Sequence, residues 1–360
     1  MNNTAKSTGL TSMLTRLRGT NNEGILAGTL IVLVLAMGLV NPDFWSVATA
    51  FGIARSSMVD IVFALGVLMV IITRQIDVSF PVVGIFAAYS TVVLVDSMDT
   101  AFGAIPTFLV AGGIGTVLGL VNGAIIARLQ LPALIITLGT VGIFRGGLLT
   151  YVGSKYIGNL PDALNDLSRT DLFVVTQGGS TTRLHVFIVP VVLLCIAVSL
   201  FLNRTIWGRG LYAIGGDIES ARRAGLSVPR IQLTLYASVG LLAGIAGMMY
   251  VTLARTANPH EFAGTELDII AAVVLGGASI LGGRGSVVGT VLGVVLIAVI
   301  RNSLLLMGVP STWQRAAVGI LLILGITAQM LGSRRRARPG REPDVDAAAP
   351  TSDTTSEVTR

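Results

Sequence analysis

Charge is what this sequence has least of. Only 12% of its 360 residues are Asp, Glu, Lys or Arg, and the mean hydropathy is +0.79. A soluble domain carries about 25% charged residues, so this chain lacks the polar surface to face water all round. Its single cysteine, Cys195, lies inside an apolar run. That excludes a disulfide within the chain and a cysteine metal cluster, and leaves a small core or lipid-facing residue. Of the two histidines, His260 sits in a polar turn and reads as a loop residue. There is no Gly-x-x-x-x-Gly-Lys-Ser/Thr loop to cradle ATP, and no HExxH, Gly-x-Ser-x-Gly or CxxC to supply a metal or nucleophile. Regularly spaced voltage-sensor arginines are missing too. No catalytic residue and no metal site are expected, so a transporter fits and an enzyme does not. The formal charge of +6 is scattered over loops and tails. That is a topology signal rather than a nucleic-acid-binding face.

What the chain does have is apolar length and glycine, 43 residues of the latter. Apolar runs fall at 24–40, 46–73, 78–95, 102–127, 131–151, 184–202, 231–253, 268–285, 286–306 and 312–331. Each approaches the length needed to span a bilayer, although the eighth is broken by Gly276-Gly277 and Gly282-Gly283. The expectation is an all-α polytopic membrane protein of about ten transmembrane helices. Residues 1–23 form a cytoplasmic tail, 24–332 the membrane domain, and 333–360 a disordered cytoplasmic tail of Arg, Pro, Ala, Ser and Thr. The polar stretch from Gly153 to Arg183 reads as a small external structure. Ten spans put both ends on one side, and most of the 25 Lys and Arg then fall inside the cell, as the positive-inside rule requires.

One polar island, GRGLYAIGGDIESARRAGLSV (Gly208–Val228), lies between two spans within a loop at 204–230. Asp217 can cap a short helix there and Gly225 can end it. Glu219 suits the positive end of that helix, and Arg222 and Arg223 the negative end. The island has the shape of a lever pressed by a soluble partner.

Charges within spans cost on the order of 3 kcal/mol even on the mildest scale. Asp60 is the deepest carboxylate and Arg145 the deepest cation; each either lines a polar pathway or forms a structural pair. Asn122 reads first as an interhelical hydrogen bond. With Asp77 and Asp268 these residues make up the candidate pathway set. Gly115, Gly119 and Gly123, and likewise Gly285, Gly289 and Gly293, recur every fourth residue as bare stripes for close helix packing. Spans two to five and seven to ten form two blocks of opposite sense, each with a break (Arg74–Asp77 and Gly276–Gly285). This hints at an inverted repeat with a pathway between the halves.

The run IITRQIDVSFPVVG (Ile71–Gly84) resembles the GGIDLSVG signature of permease subunits of carbohydrate ABC importers. ARLQLPALIITLGTVGIFRGG (Ala127–Gly147) and AAVVLGGASILGGRGSVVGTVLG (Ala271–Gly293) are similar to two further family segments, and the Gly208 island to the family's long cytoplasmic loop. Arg74-Gln75 stands where many members have Gly-Gly, a variant that resembles the rhamnose and autoinducer-2 branch. The likeness runs from about residue 46 to 331. It implies a subunit of a bacterial inner-membrane importer for a ribose-, rhamnose- or autoinducer-2-type solute. Its partners would be a cytoplasmic ATP-binding subunit, a second permease chain (identical or a paralogue) and a periplasmic or lipid-anchored solute-binding protein, in a membrane of lipid and without nucleic acid. This chain would bind no cofactor, ATP and Mg being used by the partner ATPase. Glu219-Ser220-Ala221 with Gly225 is similar to the coupling motif of ABC permeases, which assigns the coupling role to Gly208, Arg209, Asp217, Glu219, Ala221 and Gly225. Two alternatives remain open at this point. One is an ABC permease for branched-chain amino acids or nucleosides. The other is an ion-coupled secondary transporter working through Asp60 or Asp268.

Overall fold

A computed structural model describes residues 23–98, 102–153, 155–177 and 180–310, together with 313, 316, 319 and 320. The expected tenth span and both tails lie outside these residues, apart from those few positions. Twelve helices are described: α1 (Glu23–Val40), α2 (Val47–Ile72), α3 (Phe80–Ser97), α4 (Ala104–Leu129), α5 (Ala133–Val152), α6 (Asp162–Leu167), α7 (Ile188–Arg204), α8 (Ile206–Gly216), α9 (Ile218–Arg223), α10 (Val228–Ala254), α11 (Glu266–Leu275) and α12 (Val287–Leu306). A hairpin of β1 (Asp171–Gln177) and β2 (Ser180–His185) stands between α6 and α7.

The architecture is that of an all-α polytopic membrane protein. Among the described residues, six helices are long and apolar enough to cross a membrane: α2, α3, α4, α5, α10 and α12. The pair α7–α8, bent by 70°, makes a seventh if counted as one span. The apolar part of α1, Leu26–Val40, is shorter. These fall where the apolar runs place spans one to seven and nine. The eighth run is only half a helix: α11 covers ten residues, and the glycine-rich turn after it carries positive φ at Gly277, Gly282 and Gly283. About ten full spans is therefore not what the described residues display.

α2 is the spine. Every residue from Ser57 to Ile72 except Asp60 is buried, so the helix has no lipid-facing stripe over that length, as expected of a bundle core. α10 lies against α2, α3 and most extensively α4. The α4–α10 seam is glycine on glycine: a methyl on Gly115 or Gly119 would strike the backbone of Gly240 or Tyr236, and one on Gly244 would strike Ala111. Gly123 faces Tyr236 and Leu233 at 3.0–3.2 Å. Such bare stripes let backbones meet where lipid offers no hydrophobic drive for association. Gly289 and Gly293 of α12 pack in the same way on Gly276 and Ala272. Gly285 does not continue that stripe. It precedes the Ser286 cap of α12 and packs on Leu68 and Ile72.

α2 and α10, the leading helices of the two four-span blocks, have 26 and 27 residues. Just past its last turn each has an arginine in the left-handed region, Arg74 and Arg255. An inverted repeat would place matching breaks on opposite faces. The two breaks are not its equivalents, because both lie on one face, where the Gly283 N–H donates to the Ile72 carbonyl at 2.8 Å. That face exposes Arg74, Arg128, Arg209, Arg222 and Arg284 and is the one that the charge bias expects to be inner.

The opposite face carries the hairpin, the external structure expected between Gly153 and Arg183. His185 bolts its base. Buried to 2%, it accepts from the Phe187 N–H at Nδ1 (3.2 Å) and so donates from Nε2 to the Leu167 carbonyl (3.0 Å). Burial pushes its pKa below the usual imidazole range, which keeps this tautomer neutral.

Candidate functional site

The inner face gathers the two breaks and the polar island into one structure. α9 is built as its sequence dictates. Asp217 Oδ1 accepts from the Glu219 N–H at 3.0 Å, and Oδ2 accepts from the Ser220 hydroxyl at 2.6 Å. Gly225 ends the helix at φ +84°, a conformation that glycine adopts without steric cost. The Ser220 hydroxyl, then the Glu219 N–H, hold the Asp217 carboxyl below the ordinary carboxylate range. Glu219 and Arg222 pair at 2.8 Å, both well exposed, which is worth under about 1 kcal/mol. Ala221 alone among these side chains points inward, at 3% exposure. α9 is thus a rigid rod with one apolar foot and a charged outer surface.

α8, which precedes it, was not expected as a separate helix. Thr205 caps it by accepting from the Gly208 N–H at 3.0 Å. Gly208 is buried at the 70° bend, against the backbone of Phe201 and Leu202. It is a packing residue rather than part of the exposed surface, whereas Arg209 is exposed. Gly215 abuts the Ile72 carbonyl and the Gly283 nitrogen, and the Tyr212 hydroxyl donates to the Gly285 carbonyl at 2.9 Å. The far end of α8 is therefore wedged between the end of the spine and the glycine-rich turn. The signal for α8 was the helical spacing of Gly208, Leu211, Ile214 and Gly215, all buried together with Gly210, but four glycines in the run masked it.

Two clefts flank this wedge. One of about 580 Å³ is lined by Thr73, Arg74, Gln75, Gly215, Asp217 and Ile218. The other, about 290 Å³, has Gln75, Gln130, Glu219, Arg222 and Gln232 in its wall. Gln75 belongs to both, and its Oε1 accepts from the Tyr236 hydroxyl of α10 at 3.1 Å. Behind it, Asp77 accepts from the Ser79 N–H and hydroxyl at 2.7 and 2.6 Å, and the Asn122 amide donates to the Ser79 oxygen at 2.8 Å. Ser79 thus bridges Asp77 and Asn122, both buried.

The matching family model describes a branched-chain amino acid transport system / permease component and covers residues 49–326. That is well over half of the chain. The chain belongs to this permease family. The autoinducer 2 import system permease protein LsrC of Yersinia pseudotuberculosis serotype O:3 (strain YPIII) is 32% identical over 303 residues, 84% of this chain and 83% of the relative. LsrC of Yersinia pestis (strain Pestoides F) is similar to the same extent. No solved structure matches the chain.

The remaining candidate residues of the permease divide by place. Asp60 of α2 and Asp268 of α11 meet on one guanidinium, Arg301 of α12, which donates to Asp60 Oδ2 at 3.5 Å and to Asp268 Oδ2 at closer range. This group lies toward the hairpin face, remote in sequence and structure from Asp77 and Asn122. Arg145 stands apart from both, half-buried on α5. Arg301 was not among the sequence candidates. The signal was there, since a carboxylate as deep as Asp60 calls for a cation on another helix. Among the described residues, no group of three or more His, Cys, Asp or Glu is placed to hold a metal ion.

Proposed function

We propose that this permease is the membrane-spanning subunit of an ATP-driven importer for a sugar or sugar-like solute of the ribose, rhamnose or autoinducer-2 kind. It sits in the bacterial inner membrane with both termini in the cytoplasm. A cytoplasmic ATPase using Mg and ATP drives it, a second permease chain completes it, and a solute-binding protein delivers to its outer face. The observation that carries the reading is α9 itself. It is a capped, exposed rod whose flanking segments lock into both chain breaks, which is what transmission of force from a soluble motor into a bundle requires. Closure of the ATPase pushes α9; α8 and Gln75 pass the displacement to the end of α2 and the Gly282–Gly285 turn. The bundle then rocks about its glycine seams, opening outward to receive the solute. Hydrolysis resets it.

Two substitutions test the coupling. Glu219→Lys reverses the charge at the positive end of α9 and breaks its pair with Arg222. Gly225→Pro forbids the φ of +84° that ends the helix and removes an N–H that donates to the Arg222 carbonyl at 2.9 Å. Each is expected to cut solute uptake at least tenfold while the chain still inserts. Wild-type uptake by both variants would remove the coupling role from α9. A branched-chain amino acid is the second reading, favoured by the family description. Competition of labelled ribose and leucine for uptake separates the two. Uptake that survives ATP depletion but collapses with an uncoupler would instead mark an ion-coupled carrier.

A further inference from the structure

The largest charge group inside the bundle takes no part in the inner-face linkage. It lines a cavity of about 530 Å³ between α2, α10 and α12, floored by Asp60 and Arg301 and rimmed by Arg55, Asn302, Tyr250 and Glu261. Intramembrane ionisable residues mark functional sites by default. Binding sites are typically cavities of roughly 300–1,000 Å³ with a few convergent polar groups. The cavity opens toward the hairpin face: Arg55 donates to the Leu253 carbonyl, one residue from the outer end of α10, at 3.1 Å. Arg301 lies about 7 Å below the outer end of α12 at 1.5 Å per residue.

The chemistry of the walls selects the occupant. Arg301 spans two carboxylates, and one guanidinium cannot fill the lone pairs of both. Among the described residues, Oδ1 of Asp60 and the Asn302 amide, both in the wall, have no hydrogen-bond partner. The side chains of Asp60 and Arg301 keep 30% and 32% of their surface exposed, so water or a ligand reaches them. Arg301 is already matched by Asp60 and Asp268, and Glu261 by the Tyr250 hydroxyl, so an entering ammonium or carboxylate, a zwitterion's included, would have to displace one of these partners. A neutral molecule with several adjacent hydroxyls, each both donor and acceptor, fits donors and acceptors interleaved in this way. Phe262 and Tyr250 offer ring surface beside them. We propose that this cavity is an outward-opening subsite for a neutral polyhydroxylated solute, held by Asp60, Arg301 and Asn302 within a single chain. It deepens the importer reading and rests on it, as the place where solute is first received on the outer side.

Gly52 supplies a clean test. A Cβ built there meets only Asn302 Oδ1, at 3.7 Å, so Gly52→Leu starts without a backbone clash and puts an apolar side chain into the cavity beside Asn302 with every charge kept. The full-length chain in lipid nanodiscs, without ATPase, would be probed by saturation-transfer NMR with D-ribose, L-rhamnose and xylitol, and with L-leucine as control. At least one polyol is expected to take up saturation and leucine none. Gly52→Leu should reduce the polyol signal at least tenfold, and Asp60→Asn should weaken it, whereas Glu219→Lys on the inner face should leave it unchanged. No transfer to any of the three polyols overturns the subsite, as does a signal that survives Gly52→Leu. Lost binding with ATP-driven uptake intact sinks the subsite alone, and intact binding with uptake independent of ATP sinks the importer reading alone.

Discussion

Arg301 shows how one side chain sets the electrostatics of the outer half of the bundle. It ties α2 to α11 through Asp60 and Asp268, and without it two carboxylates would face each other in a cavity of low dielectric. Removing one partner of a fully buried pair costs about 3–5 kcal/mol; with these groups a fifth to a third exposed, about 1–3 kcal/mol is expected for Arg301→Met. Thermal unfolding in nanodiscs would measure it. Adding Asp60→Asn should recover part of the loss, because the two residues are coupled. Asp217 gives a pH-dependent counterpart at the inner face. Its folded pKa is depressed, so its cap stabilises α9 above the ordinary carboxylate range near 4 and is lost as pH falls through the lower, folded value. The protection factor of the Glu219 amide, its exchange rate relative to that of the unstructured chain at the same pH, should thus hold at pH 5 and fall only in stronger acid. Asp60 and Asp217 were legible in the sequence because charge in an apolar chain stands out. Arg301 was not, because sequence order does not say which helix faces meet.

At the level of helices, the glycine stripe at 115, 119 and 123 was readable from its period of four, but its partner α10 was not. Only the structure shows that Gly240 and Gly244 face it. The consequence is a contrast within one helix. Gly119 meets the backbone of Tyr236, so Gly119→Val must push α4 off α10, and overpacking of this kind costs about 1–3 kcal/mol or more. Gly113, on the same helix, has nothing within 4 Å of a new Cβ, so Gly113→Val should leave the melting temperature near that of the wild type. Equal melting of the two variants would show that the seam is not close-packed. Span positions followed from apolar length alone, and the Asp217–Gly225 helix from its cap and its stop. α8 and the offset of Gly285 from the α12 stripe did not, since a glycine-rich run gives no helical propensity and the start of α12 is set by the Ser286 cap.

For the whole molecule, the arrangement makes sense in one orientation only. The α9 helix, both chain breaks and the larger share of the exposed arginines lie on one face, while the hairpin, the mouth of the Asp60–Arg301 cavity and a smaller set (Arg55, Arg169, Arg183 and Arg255) lie on the other. If the arginine-rich face is cytoplasmic, a motor can press α9 and a delivered solute can reach the cavity. Inverted, neither could happen. The orientation is testable without knowing the solute. In a Cys195→Ala background, Glu219→Cys on α9 and Thr181→Cys on β2 both present an exposed position. A membrane-impermeant maleimide added to intact cells should label Thr181→Cys at once and Glu219→Cys only after permeabilisation. Labelling of Glu219→Cys from outside would place the rod beyond reach of any cytoplasmic ATPase and end the coupling mechanism, whatever the family resemblance. Labelling in the expected order would put α9 within reach of a cytoplasmic ATPase, as the proposed coupling requires.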